Sequence, residues 1–166
     1  MVFPLTMTAL VPWWLLRAAT PAAWPIPRVA LLAGGALFCA GGLALLVTTI
    51  GWFARVGKGT LAPFDPPRHL VLRGVYRHVR NPMISGVAFI LLGEAMLFAS
   101  PSVLSWFAIF SAIQLVYIRF VEEPGLERRF GEPYREYKLH VRAWIPRLRP
   151  WRGDPSGPGP TPHAID

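Results

Sequence analysis

Cysteine, acidic residues and metal-ligand patterns are all scarce in this sequence of 166 residues. Its single cysteine, Cys39, lies within an apolar run, which excludes a disulfide within the chain and a CxxC metal or redox site. The four histidines show no HExxH or comparable ligand spacing, so we expect no bound metal. No Lys or Arg precedes Arg17 and no clear small-residue cleavage site follows the first apolar stretch, so we expect no cleavable signal peptide.

Charge is also scarce. Charged residues make up only 16% of the chain, whereas soluble proteins average about 25%. Hydrophobic residues reach 53%, above the usual range of about 45–50%. The net charge of +8 alone would suggest a nucleic-acid partner, but the cations lie in segments beside long apolar runs. The composition therefore predicts an integral membrane protein in contact with membrane lipids, with no nucleic-acid partner.

Four apolar runs predict an all-α fold with about four transmembrane helices: Phe3–Leu16, Val29–Ala54, Met83–Ala99 and Ser102–Val121. The first run is short for a crossing, which takes about 20 residues. The second has no charged residue, and its glycines predict a face on which another helix packs closely: Gly34, Gly35, Gly41 and Gly42. We expect residues 1–150 to form one membrane-embedded domain and the Pro- and Gly-rich tail, 151–166, to be disordered.

The distribution of Lys and Arg predicts the orientation. The loop at residues 55–82 carries six of these cations and residues 119–152 carry nine, whereas residues 17–28 carry two. Because cations mark the cytoplasmic side of membrane proteins, four spans would place both basic segments and both termini in the cytoplasm. A charged, helical C-terminal segment would then lie on the same side, and any active site built from these segments would face the cytoplasm.

Two charged residues fall within or near the end of a predicted span. Glu94 lies in the middle of the third span, where burying an ionisable side chain in the membrane costs free energy. Its position alone therefore makes it a candidate catalytic residue. A hydrogen-bonded packing role is the alternative. Arg119, near the end of the fourth span, is the second candidate catalytic residue. Its guanidinium can bind a substrate carboxylate through two hydrogen bonds, or else reach towards the interface as a long amphipathic side chain.

Further polar residues stand where spans begin and end. Asn81 and Pro82 predict a helix start, because Asn is a favoured N-cap and Pro suits the first helical position. The free amides of such a start favour an anion. Glu122 and Glu123 follow the fourth span. Either they are solvated and pair with neighbouring arginines, or a carboxylate there accepts hydrogen bonds from a ligand.

Two stretches together are more specific: GVYRHVRNPMISG at residues 74–86 and EEPGLERRFGEPYREYKLHVRAWIP at residues 122–146. They resemble the paired motifs of the isoprenylcysteine carboxyl methyltransferase family, which flank a helical hairpin in the same order. Members of that family are membrane-embedded enzymes that use S-adenosylmethionine. The resemblance covers residues 68–148 approximately. It departs from the family pattern at Asn81, where the family has His, and at Ile84, where it has Tyr.

The resemblance implies that S-adenosylmethionine contacts residues from both motifs, with support from the C-terminal helix. The implied contacts are Leu70, Val71, Tyr76, Asn81, Pro82, Met83, Ile84 and Glu122, and the supporting residues are Tyr134, Tyr137 and Arg142. The resemblance thus assigns Glu122 to the cofactor, and because adjacent helical residues point about 100° apart, we expect Glu123 to affect cofactor affinity much less.

The reaction implied by the resemblance is methyl transfer to a lipophilic small molecule or a lipid-linked acceptor at the membrane interface. A carboxylate is the acceptor in the family's namesake reaction. Two alternatives stay open. One is a membrane reductase of the sterol-reductase type that uses NADPH, and the other is a non-catalytic membrane module with the same fold.

Overall fold

The computed structural model describes residues 2–18, 24–56 and 74–153, and all regular elements within these ranges are helical. The α-helices are α1 (Val2–Leu5), α2 (Val11–Ala18), α3 (Arg28–Val56), α4 (Pro82–Leu97), α5 (Pro101–Tyr117), α6 (Glu123–Phe130) and α7 (Glu132–His140). π-helical turns at Thr6–Leu10 and Ile118–Glu122 join α1 to α2 and α5 to α6, and a 3-10 turn at Gly74–Arg77 precedes α4. The prediction of an all-α fold is confirmed.

Each of the four predicted apolar runs is helical, but the helices differ in length. Among the described residues, two stretches are long and apolar enough to cross a membrane, Arg28–Trp52 and Pro101–Phe130. In the second, α5, the π-helical turn and α6 follow one another without a break. The helix α4 is apolar and has 16 residues, fewer than the about 20 that a perpendicular crossing requires.

The helices α3 and α4 pack backbone against backbone through two pairs of glycines. Gly35 faces Gly93, and Gly42 faces Gly86, in the order that antiparallel helices require. A Cβ atom built at Gly42 would lie 2.6 Å from the carbonyl oxygen of Gly86, and one at Gly35 would lie 2.8 Å from that of Gly93. Residues without a side chain permit this approach. The prediction of a glycine packing face is confirmed at these two positions.

The other two glycines of the predicted face have different surroundings. A Cβ atom at Gly41 would meet no heavy atom within 4 Å, and one at Gly34 would meet the flexible end of the Met96 side chain. Large apolar side chains of α3 that point away from α4 are exposed, among them Leu37 and Val47. An exposed apolar surface of this kind suits contact with lipid rather than water.

A buried apolar cluster from α3, α4 and α5 holds the helical hairpin in place: Leu46, Val87, Ala88, Leu91 and Phe110. At the tip of the hairpin, the Ser100 hydroxyl accepts a hydrogen bond from the backbone N–H of Val103 at 3.3 Å and caps α5. The N-terminal helices join this core, since the Trp106 indole N–H donates to the carbonyl oxygen of Met7 at 3.3 Å. The hairpin therefore brings the start of α4 and the end of α5 to the same end of the molecule.

The described part of the chain extends to residue 153, beyond the predicted boundary at residue 150. The Trp151 ring stacks on His140 with 5.6 Å between ring centroids and packs against Tyr137 at 5.8 Å. Its backbone N–H donates to the carbonyl oxygen of Arg77 at 2.9 Å. Composition carries no information about these contacts of Trp151, and the disorder expected for the tail stays a prediction. The rest of the predicted tail, 154–166, lies outside the described residues, as does most of the predicted loop, 57–73.

The glycine contacts generate a test with a matched control. We expect Gly42→Ala to lower stability by about 1–3 kcal/mol, the usual effect of overpacking, because the added methyl group collides with the backbone of α4 at Gly86. Gly41→Ala, one residue away with open space, should be neutral or slightly stabilising, because Ala favours helix by about 1 kcal/mol over Gly. Thermal unfolding of both variants in the same detergent measures the difference. Equal melting temperatures would contradict the backbone-to-backbone contact.

Candidate functional site

The segment before α4 and the segment after α5 meet through a buried ion pair. The Arg80 guanidinium lies 2.8 Å from Oε1 of Glu123, and the Arg80 and Glu123 side chains are only 10% and 6% exposed. The π-helical turn at Ile118–Glu122 immediately precedes this acid. Such turns add a residue to a helix and change the direction of the following side chains, often at functional sites. The two motifs singled out in the sequence are therefore joined in the structure.

A network of charges surrounds Glu123. Its second carboxylate oxygen, Oε2, lies 2.8 Å from the Lys138 ammonium and 3.5 Å from the Arg119 guanidinium. Lys138 also pairs with Glu127 at 2.7 Å, which links α7 to α6. Hydrogen bonds to Glu123 and then Glu127 raise the pKa of Lys138, so this side chain stays charged at neutral pH. The buried carboxylate of Glu123 thus has a cation on each oxygen, as burial of a charge requires.

Two tyrosines of α7 hold the first motif from the other side. Tyr134 and Tyr137 are each 3% exposed. The Tyr134 hydroxyl accepts a hydrogen bond from Arg80 at 3.4 Å, and the Tyr137 hydroxyl donates to the carbonyl oxygen of Tyr76 at 2.7 Å. Burial raises the pKa of Tyr137, so its phenol remains protonated and able to donate. The structure therefore places both predicted supporting residues against the first motif.

Residues 141–151, here named the C-terminal strap, are hydrogen-bonded to the segment that leads into α4. Backbone N–H groups of Arg80 and Asn81 donate to the carbonyl oxygens of Arg142 and Ala143 at 2.9 and 3.1 Å. The N–H of Arg147 donates to the carbonyl oxygen of His78 at 2.9 Å. These bonds, with that of Trp151, fix residues 77–81 independently of the ion pairs.

The Glu122 and Asn81 side chains take no part in the described ion pairs or capping bonds. Glu122 is half-buried and forms no hydrogen bond or ion pair with another described residue. Burial, and secondarily the nearby Glu122 carboxylate, raises the pKa of Tyr76. The predicted helix start at Asn81 and Pro82 is confirmed, but the predicted side-chain cap is wrong, since the Asn81 side chain makes no capping bond. The strap holds its backbone N–H instead, which turns this residue away from capping geometry.

The remaining predicted contacts differ in their surroundings. Pro82 is buried, and Met83 and Ile84 pack against the apolar core of the hairpin. Arg142 has an exposed side chain, and it supports the site through its carbonyl oxygen rather than its guanidinium. The other two predicted contacts, Leu70 and Val71, lie outside the described residues.

The two candidate catalytic residues lie in different places. Arg119 stands at the edge of the charge network with a side chain that is 63% exposed. Glu94 lies twelve residues after Pro82 in α4, about 18 Å along the helix axis, and one of its carboxylate oxygens is buried without a hydrogen-bond partner in the described part of the chain. The structure therefore brings Arg119, but not Glu94, to the site.

The sequence analysis missed the three residues that hold the site together, Arg80, Glu123 and Lys138. Glu123 holds the site together through its ion pairs, whereas its smaller effect on cofactor affinity compared with Glu122 stays a prediction. The available signal was the occurrence of opposite charges within both motifs, but partners separated by 43 and 15 positions leave no local pattern. Only the contact between the segments identifies the pairs.

Sequence comparisons match this chain to a protein family and to a curated relative. The sequence model of a family described as phospholipid methyltransferase matches residues 29–133. A phosphatidylethanolamine N-methyltransferase from Zygosaccharomyces rouxii is 25% identical over 123 residues, which are 74% of this chain and 14% of that protein. The chain thus spans a small part of the length of that relative. No solved structure matches at a significant level.

The network predicts that substitutions of two glutamates will lower the stability of the protein by different amounts. We expect Glu123→Ala to lower stability by about 3–5 kcal/mol, because it leaves the buried Arg80 and the adjacent Lys138 without their shared counter-charge. Glu132→Ala is the control, since its pair with Arg135 is exposed and such pairs contribute only about 0–1 kcal/mol. Chemical unfolding of the purified variants in detergent gives both values. A Glu123→Ala variant as stable as Glu132→Ala would show that the network does not support the fold.

Proposed function

The chain belongs to the phospholipid methyltransferase family, and on this premise we propose that it is a membrane-bound enzyme that methylates a lipid from S-adenosylmethionine. Phospholipid methyltransferases and isoprenylcysteine carboxyl methyltransferases are in one superfamily of membrane methyltransferases, which accounts for the motif resemblance. The family assignment favours methyl transfer over the reductase and the non-catalytic module.

The proposal rests on the contact that the Arg80–Glu123 ion pair makes between the two motifs. Glu123 is bound to Arg80 in this pair. The other acid of the doublet, Glu122, lies near Tyr76 and forms no hydrogen bond or ion pair with a described residue. A half-buried carboxylate without a partner is a strong acceptor for ligand hydroxyl or amino groups. We assign Glu122 to the cofactor and Glu123 to the structure that positions it.

Other groups at the start of α4 suit the same cofactor. The Asn81 amide, released from capping, offers one acceptor and two donor hydrogens. The backbone N–H groups of Met83 and Ile84 lie in the first turn of α4, where amides have no intrahelical partner and attract a carboxylate. S-adenosylmethionine supplies an electrophilic methyl group on a positively charged sulfur when it is bound. The chain then has to orient the acceptor, because direct transfer needs in-line groups about 3–3.5 Å apart.

We propose a phospholipid with an amine headgroup as the acceptor. The support is the family match together with the name of the Zygosaccharomyces rouxii relative. Arg119 is placed to bind the lipid phosphate, because its side chain is exposed at the edge of the site and guanidinium groups bind phosphate through paired hydrogen bonds. Glu94 has no role in this proposal, because it lies too far along α4.

The proposal includes four spans with the site at the cytoplasmic surface. The hairpin of α4 and α5 returns the chain to the side from which it entered, so the start of α4 and the end of α5 share one surface. The two segments richest in Lys and Arg flank this hairpin, which supports a cytoplasmic location. A water-soluble cofactor would then reach the site from the cytoplasm, while the lipid acceptor approaches from the bilayer.

Reconstitution tests the function and the acceptor together. We expect the purified protein, in vesicles that contain phosphatidylethanolamine, to transfer labelled methyl groups to that lipid, as measured by mass spectrometry of the lipid extract. Vesicles of phosphatidylcholine alone are the control, because a quaternary nitrogen cannot accept another methyl group. Label recovered as base-labile methyl ester would indicate a carboxylate acceptor. Absence of transfer together with binding of NADPH would favour the reductase.

Glu122 provides the sharpest test of the site. Loss of a charged hydrogen-bond partner typically costs about 1.5–3 kcal/mol, so Glu122→Ala should weaken S-adenosylhomocysteine binding by roughly 10- to 150-fold. Glu122→Gln, which keeps the shape and one acceptor oxygen, should lose less. Calorimetry in detergent measures all three affinities, and Glu132→Gln is the control on an exposed acid of α7. Unchanged affinity in a folded Glu122→Ala variant would refute the assignment.

A further inference from the structure

The C-terminal strap exposes apolar side chains that the protein leaves uncovered. Leu148 is 100% exposed and Ile145 is 60% exposed, and Leu139, just before the strap, is 84% exposed. Full exposure of large apolar side chains close together in sequence marks a surface that contacts something other than water. No described helix covers these side chains, and the fold of residues 141–151 is held by backbone hydrogen bonds rather than by them.

The height of this surface relative to the membrane follows from contacts with α4. The Asn81 N–H donates to the carbonyl oxygen of Ala143 at 3.1 Å, and the Ser85 hydroxyl donates to that of Trp144 at 2.8 Å. These residues form the last position before α4 and its first turn. Since α4 is apolar from its start, its first turn lies where the chain enters the bilayer. Ala143 and Trp144 therefore lie at the boundary between headgroups and hydrocarbon, and Ile145 and Leu148 follow them in the strap.

The charges around the apolar side chains specify the lipid. Arg142, Arg149 and Arg152 are exposed, and none of the three forms an ion pair within the described ranges. The sequence has no acidic residue from Tyr137 to Gly153. Unpaired arginines next to apolar side chains at an interface match an anionic lipid surface, in which phosphates attract the guanidinium groups while the apolar side chains enter the hydrocarbon.

We propose that residues 142–152 form an anchor for anionic lipid, with Ile145 and Leu148 inserted below the headgroups and the three arginines bound to lipid phosphates. The proposal concerns the surface beside the site and does not depend on methyl transfer. It has a structural consequence for the site. The same segment donates and accepts the backbone hydrogen bonds that fix residues 77–81, so lipid binding would hold this side of the site at the bilayer surface.

Site-directed spin labelling tests the anchor. In a Cys39→Ala background, a nitroxide at Leu148→Cys is compared with one at Glu136→Cys, an exposed position of α7. Both proteins are placed in nanodiscs of phosphatidylcholine, with and without phosphatidylglycerol. Collisions with oxygen report hydrocarbon, and collisions with a water-soluble nickel chelate report water. We expect the label at 148 to be oxygen-rich and nickel-poor in anionic discs and to become shallower in neutral discs. The label at 136 should report water in both.

A variant with Arg142, Arg149 and Arg152 all changed to Gln supplies the charge test. It should remove the dependence on phosphatidylglycerol while leaving the label at 136 unchanged. A label at 148 in water in anionic discs would overturn the proposal. So would a depth that is the same in both lipids. A label shielded from both reagents would also overturn it, because that result indicates a contact with protein, such as a second copy of the chain.

Discussion

The carboxylate of Glu123 is the group on which the polar half of this protein depends. It lies at the junction of three segments and binds Arg80 from before α4 and Lys138 from α7, with Arg119 at its edge. A buried charge is tolerated only while its partners remain, and the same applies to Arg80, which is nearly as buried. The ion pairs therefore tie the three segments to one another, in addition to the backbone hydrogen bonds that the C-terminal strap makes to residues 77–81.

The apolar half has a constraint of the opposite chemical kind. Two pairs of glycines let the backbones of α3 and α4 touch, which sets both the distance between the helices and the rotation of α4 about its axis. Since Asn81 and the first turn of α4 belong to the site, this rotation also decides which groups point towards Glu122. Steric contact along α4 at Gly86 and Gly93 and ion pairing just before its start thus jointly position the residues assigned to the cofactor.

Predictions from the sequence were good where the signal is local and weaker where it depends on helix rotation. The charge-free run identified α3, and the motifs identified the two segments that meet. The glycines show the limit, because Gly41 and Gly42 are adjacent and only one of them contacts α4. The doublet of Glu122 and Glu123 shows the same limit. In both cases neighbours differ by about 100° in direction, and the composition of the helix does not say which direction faces the partner.

The sequence by itself determined that the chain is helical, which stretches are apolar enough to enter a membrane, and which two motifs carry the polar chemistry. The hydrophobic pattern, the length and the charge of a segment belong to that segment alone, so they can be read from the sequence without knowing which segments pack against it. The tertiary structure alone decided that Glu123 is buried in ion pairs, that Glu122 has no such pair among the described residues, and that Trp151 is bonded to Arg77. Each of these depends on contact between residues far apart in the chain, which is set by the packing of whole helices and leaves no periodic trace in the sequence.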